Sequence, residues 1–139
     1  MNTDNFLSLS ENIKKNIHEV RTTTKTCDLL EPLNSNSFER IVYLFQSIAR
    51  SMVDIGNGII IESDFRTPLN TADVFISLAE HSVISPSIVP GLKKAAMAMP
   101  RIQNFEDAEL LEIITNSIED LNHCLNAFTK HFRTKESEV

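Results

Sequence analysis

The feature that most constrains this chain is an uninterrupted amphipathic stretch from Phe38 to Ser63. Apolar side chains recur along it at intervals of three and four residues, which is the spacing of one face of an α-helix, while polar side chains fall on the opposite face. At 1.5 Å per residue, a helix of this length spans about 40 Å, which is the length of a small helical bundle. The stretch therefore predicts one long helix on which the rest of the chain packs.

Apolar spacing and proline breaks divide the rest of the chain into further helices. Pro68 and Pro100 mark two breaks, because proline cannot donate the backbone hydrogen bond that a helix interior needs. The final segment carries apolar side chains at alternating steps of three and four from Leu111 to Phe132, which is typical of a packing seam. The predicted helices span residues 5–27, 38–63, 71–81, 86–99 and 105–132, and the fourth is expected to be regular only from Leu92 to Met99.

Polar residues in front of four of these helices are predicted to cap their N-termini. A side-chain oxygen at this position accepts a hydrogen bond from an N–H group of the first turn that has no partner inside the helix. The predicted caps are Ser37, Asn70, Ser85 and Asn104, and a turn-rich connection is predicted at residues 31–36. Asn70 and Asn104 are each followed three residues later by an aspartate, which can bond back to the capping residue.

Length and composition fit a single all-α domain. The chain has 139 residues and only three glycines, and helix-forming residues dominate. Short connections between amphipathic helices predict an antiparallel up-and-down bundle of about five helices, two of them long, one medium and two short. We expect residues 1–139 to form this one domain, with a frayed, charged tail at 133–139.

The charge balance, the apolar runs and the cysteine spacing also exclude several classes of protein. With 13 basic and 19 acidic residues, the formal charge of −6 lacks the basic excess of a nonspecific nucleic-acid binder. The first residues carry neither the basic nor the apolar segment of a signal peptide, and no apolar run approaches the roughly 20 residues of a membrane span. Cys27 and Cys124 lack the spacing of metal ligands. We therefore expect a cytoplasmic protein with reduced thiols, without a metal or a cofactor, that does not enter a membrane.

The polar face of the long helix is the first candidate site. Arg50 and Asp54 are one turn apart and Asn57 follows one turn later, so their side chains can converge, with Tyr43 on the same face. A solvated helix face is the favoured interpretation, because exposed ion pairs contribute little to stability. A structural or dimer contact and a functional site are the two alternatives.

A small basic group around the end of the fourth helix is the second candidate. It consists of Lys93, Lys94 and Arg101. The negative end of the helix dipole accounts for two of these charges. Contact with phosphate or with an RNA backbone is the functional alternative.

The order of these segments resembles the HepT-like branch of the HEPN superfamily. The resemblance covers residues 37–132 and rests on Asp54-Ile55-Gly56-Asn57 in the long helix, on the Pro68 break, on Leu92-Lys93-Lys94 and on the apolar segment 110–114. It implies a small all-α bundle that dimerises. It also implies a toxin of the ribonuclease type that is paired with a minimal nucleotidyltransferase antitoxin.

The family's catalytic motif has no counterpart in this chain. The motif is an arginine, four to six residues, a histidine, one residue and a tyrosine, which suit metal-independent RNA cleavage. The resemblance places these three positions at Ala95, Pro100 and Ile102, and residues 93–107 contain neither histidine nor tyrosine. The family's aspartate and asparagine on the long helix match Asp54 and Asn57.

The resemblance therefore implies a catalytically degenerate HepT-like protein, without enzymatic activity, that acts as a homodimer. It would bind a cognate partner, for which a nucleotidyltransferase-type antitoxin is the candidate, or bind RNA without cutting it. One alternative is an active ribonuclease toxin with an altered site built from Asp54, Asn57, Lys94 and Arg101. The other is a structural or sensory bundle unrelated to toxins.

Overall fold

A computed structural model describes residues 3–27 and 35–137, and within these ranges the regular secondary structure is entirely helical. The five α-helices are α1 (Thr3–Cys27), α2 (Ser35–Glu62), α3 (Asp73–Glu80), α4 (Val89–Ala98) and α5 (Asp107–Ser137). Two 3-10 helices, Pro86–Ile88 and Met99–Asn104, precede and follow α4. The predicted all-α bundle of five helices is confirmed.

Three long helices form the body of the bundle. α1 packs against α2 and α5, while α3 packs against α2 and α4 packs against α5. The sequence predicted two long helices, yet α1 has 25 residues and is nearly as long as α2 with 28. Phe6 at the start of α1 stacks on Phe132 near the end of α5, with ring centroids 4.3 Å apart. Each such fully buried side chain contributes roughly 1.5–3 kcal/mol through the removal of apolar surface from water.

The seam of α5 is buried with one difference from the prediction. Leu111 is only half-buried, and Leu110 takes its place in the core with 3% exposure. The straight helix turns 100° per residue, so the position four residues before Ile114 lies closer to the middle of the seam than the position three residues before it. The six other seam positions are buried as predicted: Ile114, Ile118, Leu121, Leu125, Phe128 and Phe132.

Two of the four predicted N-cap residues accept a hydrogen bond of the expected kind and two do not, although α3 begins only at Asp73 and Ser85 caps the 3-10 helix Pro86–Ile88. The Asn70 side chain accepts a hydrogen bond from the Asp73 N–H at 2.9 Å, and Ser85 Oγ accepts one from the Ser87 N–H at 3.3 Å. Ser37 is not a cap, because α2 already begins at Ser35. Asn104 is not a cap either, because it lies at the end of the 3-10 helix Met99–Asn104, and α5 begins only at Asp107.

Some predictions fall on parts of the chain beyond the described ranges. The connection at 31–36 lies mostly outside the described residues, and so does the side chain of Cys27. Cys124 carries a free thiol in the core, and burial raises its pKa. α5 continues through Ser137, past the point at which the sequence predicts a frayed tail. Among the described residues, none of the helices combines the length and the apolar character that a membrane span requires.

Helices α2 and α3 end in the same way. Asp64 and Ser82 have φ angles of 56° and 62°, in the left-handed region that favours glycine. At each end, the left-handed residue donates its backbone N–H to the carbonyl three positions earlier, and the next residue donates its N–H to the carbonyl five positions earlier. These hydrogen bonds measure 3.0–3.3 Å. This is the Schellman arrangement, in which the last carbonyls of the helix find partners and the following apolar side chain packs back on the helix. The apolar residues are Phe65 and Val83, and both lie against the core.

The connection from α2 to α3 is fixed by one guanidinium group. Arg66 donates to both carboxylate oxygens of Asp73, at 2.7 and 3.0 Å, and also pairs with Glu80 at 3.1 Å. The Asp73 carboxylate accepts a further bond from the Leu69 N–H at 2.8 Å, rather than from the N–H of Asn70 as a capping box would require. Hydrogen bonds from Arg66, and then from Leu69, lower the pKa of Asp73 to about 2.

Candidate functional site

The polar face of α2 is exposed in the isolated chain. Tyr43 is 66% exposed, Arg50 and Asp54 are exposed, and Asn57 is half-buried. Arg50 and Asp54 form no ion pair with each other, and neither has another ion-pair partner in the described part of the chain. A solvated face is therefore what a single chain presents here. The four side chains share one face, as the spacing predicts, without converging on a bonded cluster.

The basic group at α4 is divided by the turn that follows the helix. Lys93 is half-buried and lies close enough to Asp73 to contribute to lowering the pKa of that carboxyl group. Lys94 is exposed beside it. Arg101 lies beyond Pro100 with φ −118° and ψ 22°, outside the helical region, and does not line the same cleft. The structure therefore brings two of the three predicted cations together.

Both lysines line a groove between α3 and α4 that the sequence did not predict. We call it the α3–α4 groove; its volume is about 650 Å³. Its surface is mostly apolar, and its only charged lining residues are Lys93, Lys94 and Glu80. Met97, at the end of the groove, is 56% exposed. The full lining is Ile76, Ala79, Glu80, Pro86, Val89, Pro90, Lys93, Lys94 and Met97.

The groove was missed because it depends on the packing of two short helices against each other. Ile76 lies on the half-buried edge of α3, and Val89 lies in the same way on α4. Each is an unremarkable apolar residue within its own helix. The one indication in the sequence was Met97, since methionine is common at adaptable binding surfaces. Only the placement of α3 beside α4 turns these separate residues into a continuous concave surface.

The three positions that the resemblance assigns to a catalytic motif hold no group that can transfer a proton. Ala95 is 1% exposed in the core, Ile102 is half-buried against the core, and Pro100 is exposed. A proline ring and two aliphatic side chains can supply packing and shape but no acid or base. Within the described ranges, no three His, Cys, Asp or Glu side chains converge as a metal site would require.

The turn at Pro100 lies against α2. Gln46 Nε2 donates a hydrogen bond to the Met99 carbonyl oxygen at 3.4 Å, and the Met99–Asn104 segment packs on the same helix. Asp54 lies two turns further along α2, about 12 Å at 1.5 Å per residue. The turn therefore contacts the long helix nearer to Gln46 than to the Asp54-Ile55-Gly56-Asn57 segment.

Comparison with known proteins places this fold among solved helical structures. No family model matches the chain, and no curated protein matches it. A chain of the crystal structure of a toxin–antitoxin with AMP-PNP superimposes with a TM-score of 0.79 at 16% identity, over 92% of this chain and 99% of that chain. The cytosolic protein of unknown function YutE from Bacillus subtilis superimposes with a TM-score of 0.69 at 15% identity, over 90% of this chain and 91% of that chain. These similarities establish a shared fold over nearly the whole length of each chain.

Proposed function

We propose that this chain is a catalytically degenerate HepT-like protein that works by binding other proteins. The observation that carries the proposal is the α3–α4 groove, an apolar concave surface on a chain whose assigned motif positions hold no acid or base. The fold shared with a chain of a toxin–antitoxin structure supports the assignment to this class. A toxin-like bundle that lacks the side chains for proton transfer still retains the surfaces with which it can contact other proteins.

Self-association is the first binding event that we propose. Met97 is a large, flexible apolar side chain, and 56% of its surface faces water although it adjoins an apolar groove. Exposed apolar patches of this kind are typical of interfaces. A second copy of the chain would cover the groove and the adjoining turn at Pro100, in an interface related by a twofold axis.

Mass measurement tests self-association directly. Light scattering is expected to give twice the mass of one chain, and Met97→Asp is expected to shift the protein to the monomer, because it buries a charge without a partner. Leu69→Asp is the matched control, since Leu69 is 87% exposed and does not line the groove. A monomer mass for the unmodified protein, or equal effects of the two substitutions, contradicts this interface.

The second binding event that we propose is the binding of a cognate nucleotidyltransferase-type antitoxin. The test is co-expression with a nucleotidyltransferase-type protein encoded beside this chain, followed by purification through a tag on one partner. We expect a stable complex. Recovery of the two proteins in separate fractions would favour a structural bundle unrelated to toxins.

Loss of catalysis has its own test. The purified protein is incubated with total RNA beside an Asp54→Ala variant. We expect neither to cleave, because Ala95, Pro100 and Ile102 offer no acid or base. Cleavage by the unmodified protein that disappears in the variant would show that an altered site, including Asp54, remains active.

A further inference from the structure

Two adjoining clefts lie beside the C-terminal part of α5, away from the lysines of the α3–α4 groove. The first, of about 610 Å³, lies between α5 and the connections that lead into and out of α3. The second, of about 440 Å³, lies between α5 and α1. Lys130 and Thr134 line both clefts, so the two adjoin at these side chains. We call them the α5-end clefts.

The ionisable side chains that line these clefts are all basic. No aspartate or glutamate lines either of them, although the chain has 19 acidic and 13 basic residues. Other clefts of the described chain mix their charges: Glu80 lies with the lysines of the α3–α4 groove, and Glu119 pairs with Arg21 in a cleft between α1 and α5. The basic side chains that line the α5-end clefts are Lys14, His81, Lys130, His131 and Arg133.

His81 is held in a fixed orientation at the first cleft. Its ring stacks on Phe65, with centroids 3.8 Å apart and planes within 6°. Its Nδ1 lies 2.9 Å from the Ser77 carbonyl oxygen, and because a carbonyl can only accept, Nδ1 carries the hydrogen. The ring nitrogen left for the cleft is therefore Nε2. A backbone carbonyl that fixes the orientation of an imidazole is common where the other nitrogen meets a ligand.

The backbone next to His81 is held in a conformation unusual for its residue type. Ser82 has a φ of 62° and lines the same cleft. Its left-handed conformation completes the Schellman end of α3 and fixes the direction in which His81 leaves the helix. The stack on Phe65, the bond to Ser77 and the turn at Ser82 together give this imidazole a defined position before any ligand arrives.

We propose that the α5-end clefts bind a small phosphorylated ligand, with its phosphate group beside Lys130 and its apolar body in the first cleft. A lysine ammonium group donates strong hydrogen bonds to phosphate oxygens, and Lys130 lines the same cleft as His81. The volume of the first cleft falls in the range of small-molecule sites, about 300–1,000 Å³. Its wall also includes the apolar side chains of Val83, Ile84 and Pro86, which can hold a flat ring.

The charge of the whole molecule favours a small ligand over a long polyanion. A net charge of −6 repels an extended nucleic acid, whose phosphates reach well beyond the clefts. A single phosphate beside Lys130 responds mainly to charges within a screening length, about 8 Å at physiological salt, and no aspartate or glutamate lines either cleft. The proposal is independent of the partner-binding role, because the clefts share Ala79 and Pro86 with the α3–α4 groove but none of its charged residues.

Titration at low salt tests the site with four probes: uridine monophosphate, uridine, inorganic phosphate and a single-stranded RNA of ten uridines. We expect saturable binding of the monophosphate, binding about tenfold weaker for inorganic phosphate, and none for uridine. Amide NMR shifts should change at Ser82, Lys130 and His131. RNA that binds more tightly than the monophosphate would overturn the assignment to a small ligand. Absence of saturable binding by the monophosphate would overturn the site itself.

Two substitutions locate the site. Lys130→Gln is expected to weaken binding of uridine monophosphate about tenfold, the loss expected for one charge-assisted hydrogen bond. Lys15→Gln, which removes an exposed lysine of α1 that lines neither the α5-end clefts nor the α3–α4 groove, is the matched control and should leave binding unchanged. His81→Phe keeps a ring on Phe65 but removes Nε2, and should also weaken binding about tenfold. Equal losses in Lys130→Gln and Lys15→Gln would show nonspecific attraction and contradict the proposal.

Discussion

The two connections that flank the short helices are held in different ways. Between α2 and α3, the Arg66 side chain binds Asp73 and Glu80, while Ser77 Oγ donates to the Arg66 carbonyl oxygen at 3.0 Å. Between α4 and α5, the Met99–Asn104 segment has no fully buried residue, and Gln46 is the side chain that bonds to its backbone, at 3.4 Å. The first connection is fixed by its own polar side chains and the second mainly by partial packing.

This difference shows where the molecule holds its backbone most firmly. The well-fixed connection leads to α3, whose end places His81 at the α5-end clefts. The loosely fixed one is the place at which the resemblance puts a catalytic motif, at Pro100 and Ile102. A reacting group must be held within about 0.5 Å of its working geometry. Of these two regions, the end of α3 beside the α5-end clefts is therefore the better held.

The largest expected loss of stability follows from a substitution in α3, the helix to which the first connection leads. Phe75 on α3 is 1% exposed, and Phe75→Ala is expected to lower the free energy of unfolding by about 3–5 kcal/mol, through lost transfer energy and the cavity left behind. Ile102→Ala at the second connection should cost about 1 kcal/mol, because this side chain is only half-buried. Chemical denaturation of both variants checks the comparison, and equal losses would contradict it.

The sequence predicted the first connection well because the residues that determine it are close together in the chain. Pro68 ends the extended segment, and Asn70 caps the backbone of Asp73 three residues later. The second connection was harder to predict, because Asn104 carries a side chain that can cap a helix. In the structure Asn104 lies within the 3-10 helix Met99–Asn104, and α5 begins only at Asp107.

The candidate sites were harder to predict from the sequence than the fold was. The α3–α4 groove joins Ile76 to Met97, and the first α5-end cleft joins His81 to Lys130, so residues far apart in the chain must be brought together by packing. A helical pattern reports which face of each helix is buried, but it does not report which neighbouring helix covers that face. The exposed face of α2 was predictable because it depends on the period of one helix alone.

The contact of α2 with α3 offers a smaller test of the first connection. A Cβ atom on Gly56 would lie 2.8 Å from Val74 Cγ1 and 3.0 Å from Leu78 Cδ1, so these side chains or the helix that carries them must shift to admit it. Gly56→Ala is expected to lower the free energy of unfolding by about 1–2 kcal/mol, because overpacking outweighs the gain in helix propensity.

Gly58 provides the matched control for this substitution. A Cβ atom there meets nothing within 4 Å, so Gly58→Ala should raise the free energy of unfolding by about 0.5–1 kcal/mol through helix propensity alone. Thermal unfolding of the two variants beside the unmodified protein measures both effects. If both substitutions stabilise the protein, α2 and α3 do not pack as closely at Gly56 as the structure indicates.

The last prediction has the smallest expected effect at neutral pH and concerns the Arg66–Asp73 pair of the first connection. The stability that this pair contributes depends on pH. The pKa of Asp73 falls from 3.8 to about 2, chiefly because of the hydrogen bonds from Arg66 and then because of the one from the Leu69 N–H. A carboxyl group whose pKa is lower in the folded state contributes stability that is fully present above pH 4, and this contribution disappears as the pH falls from about 4 to 2. Water screens the pair in part, since Arg66 is 38% exposed.

Asp73→Asn isolates this contribution. Its unfolding temperature should lie below that of the unmodified protein from pH 5 to 7, and the difference should shrink as the pH falls toward 2. Asp54→Asn, which removes an exposed carboxylate without an ion pair in the described part of the chain, is the control for lost charge and should show no such convergence. If the Asp73→Asn difference is the same at pH 3 and pH 7, the first connection owes its firmness to packing, as the second does, and the contrast between the two connections disappears.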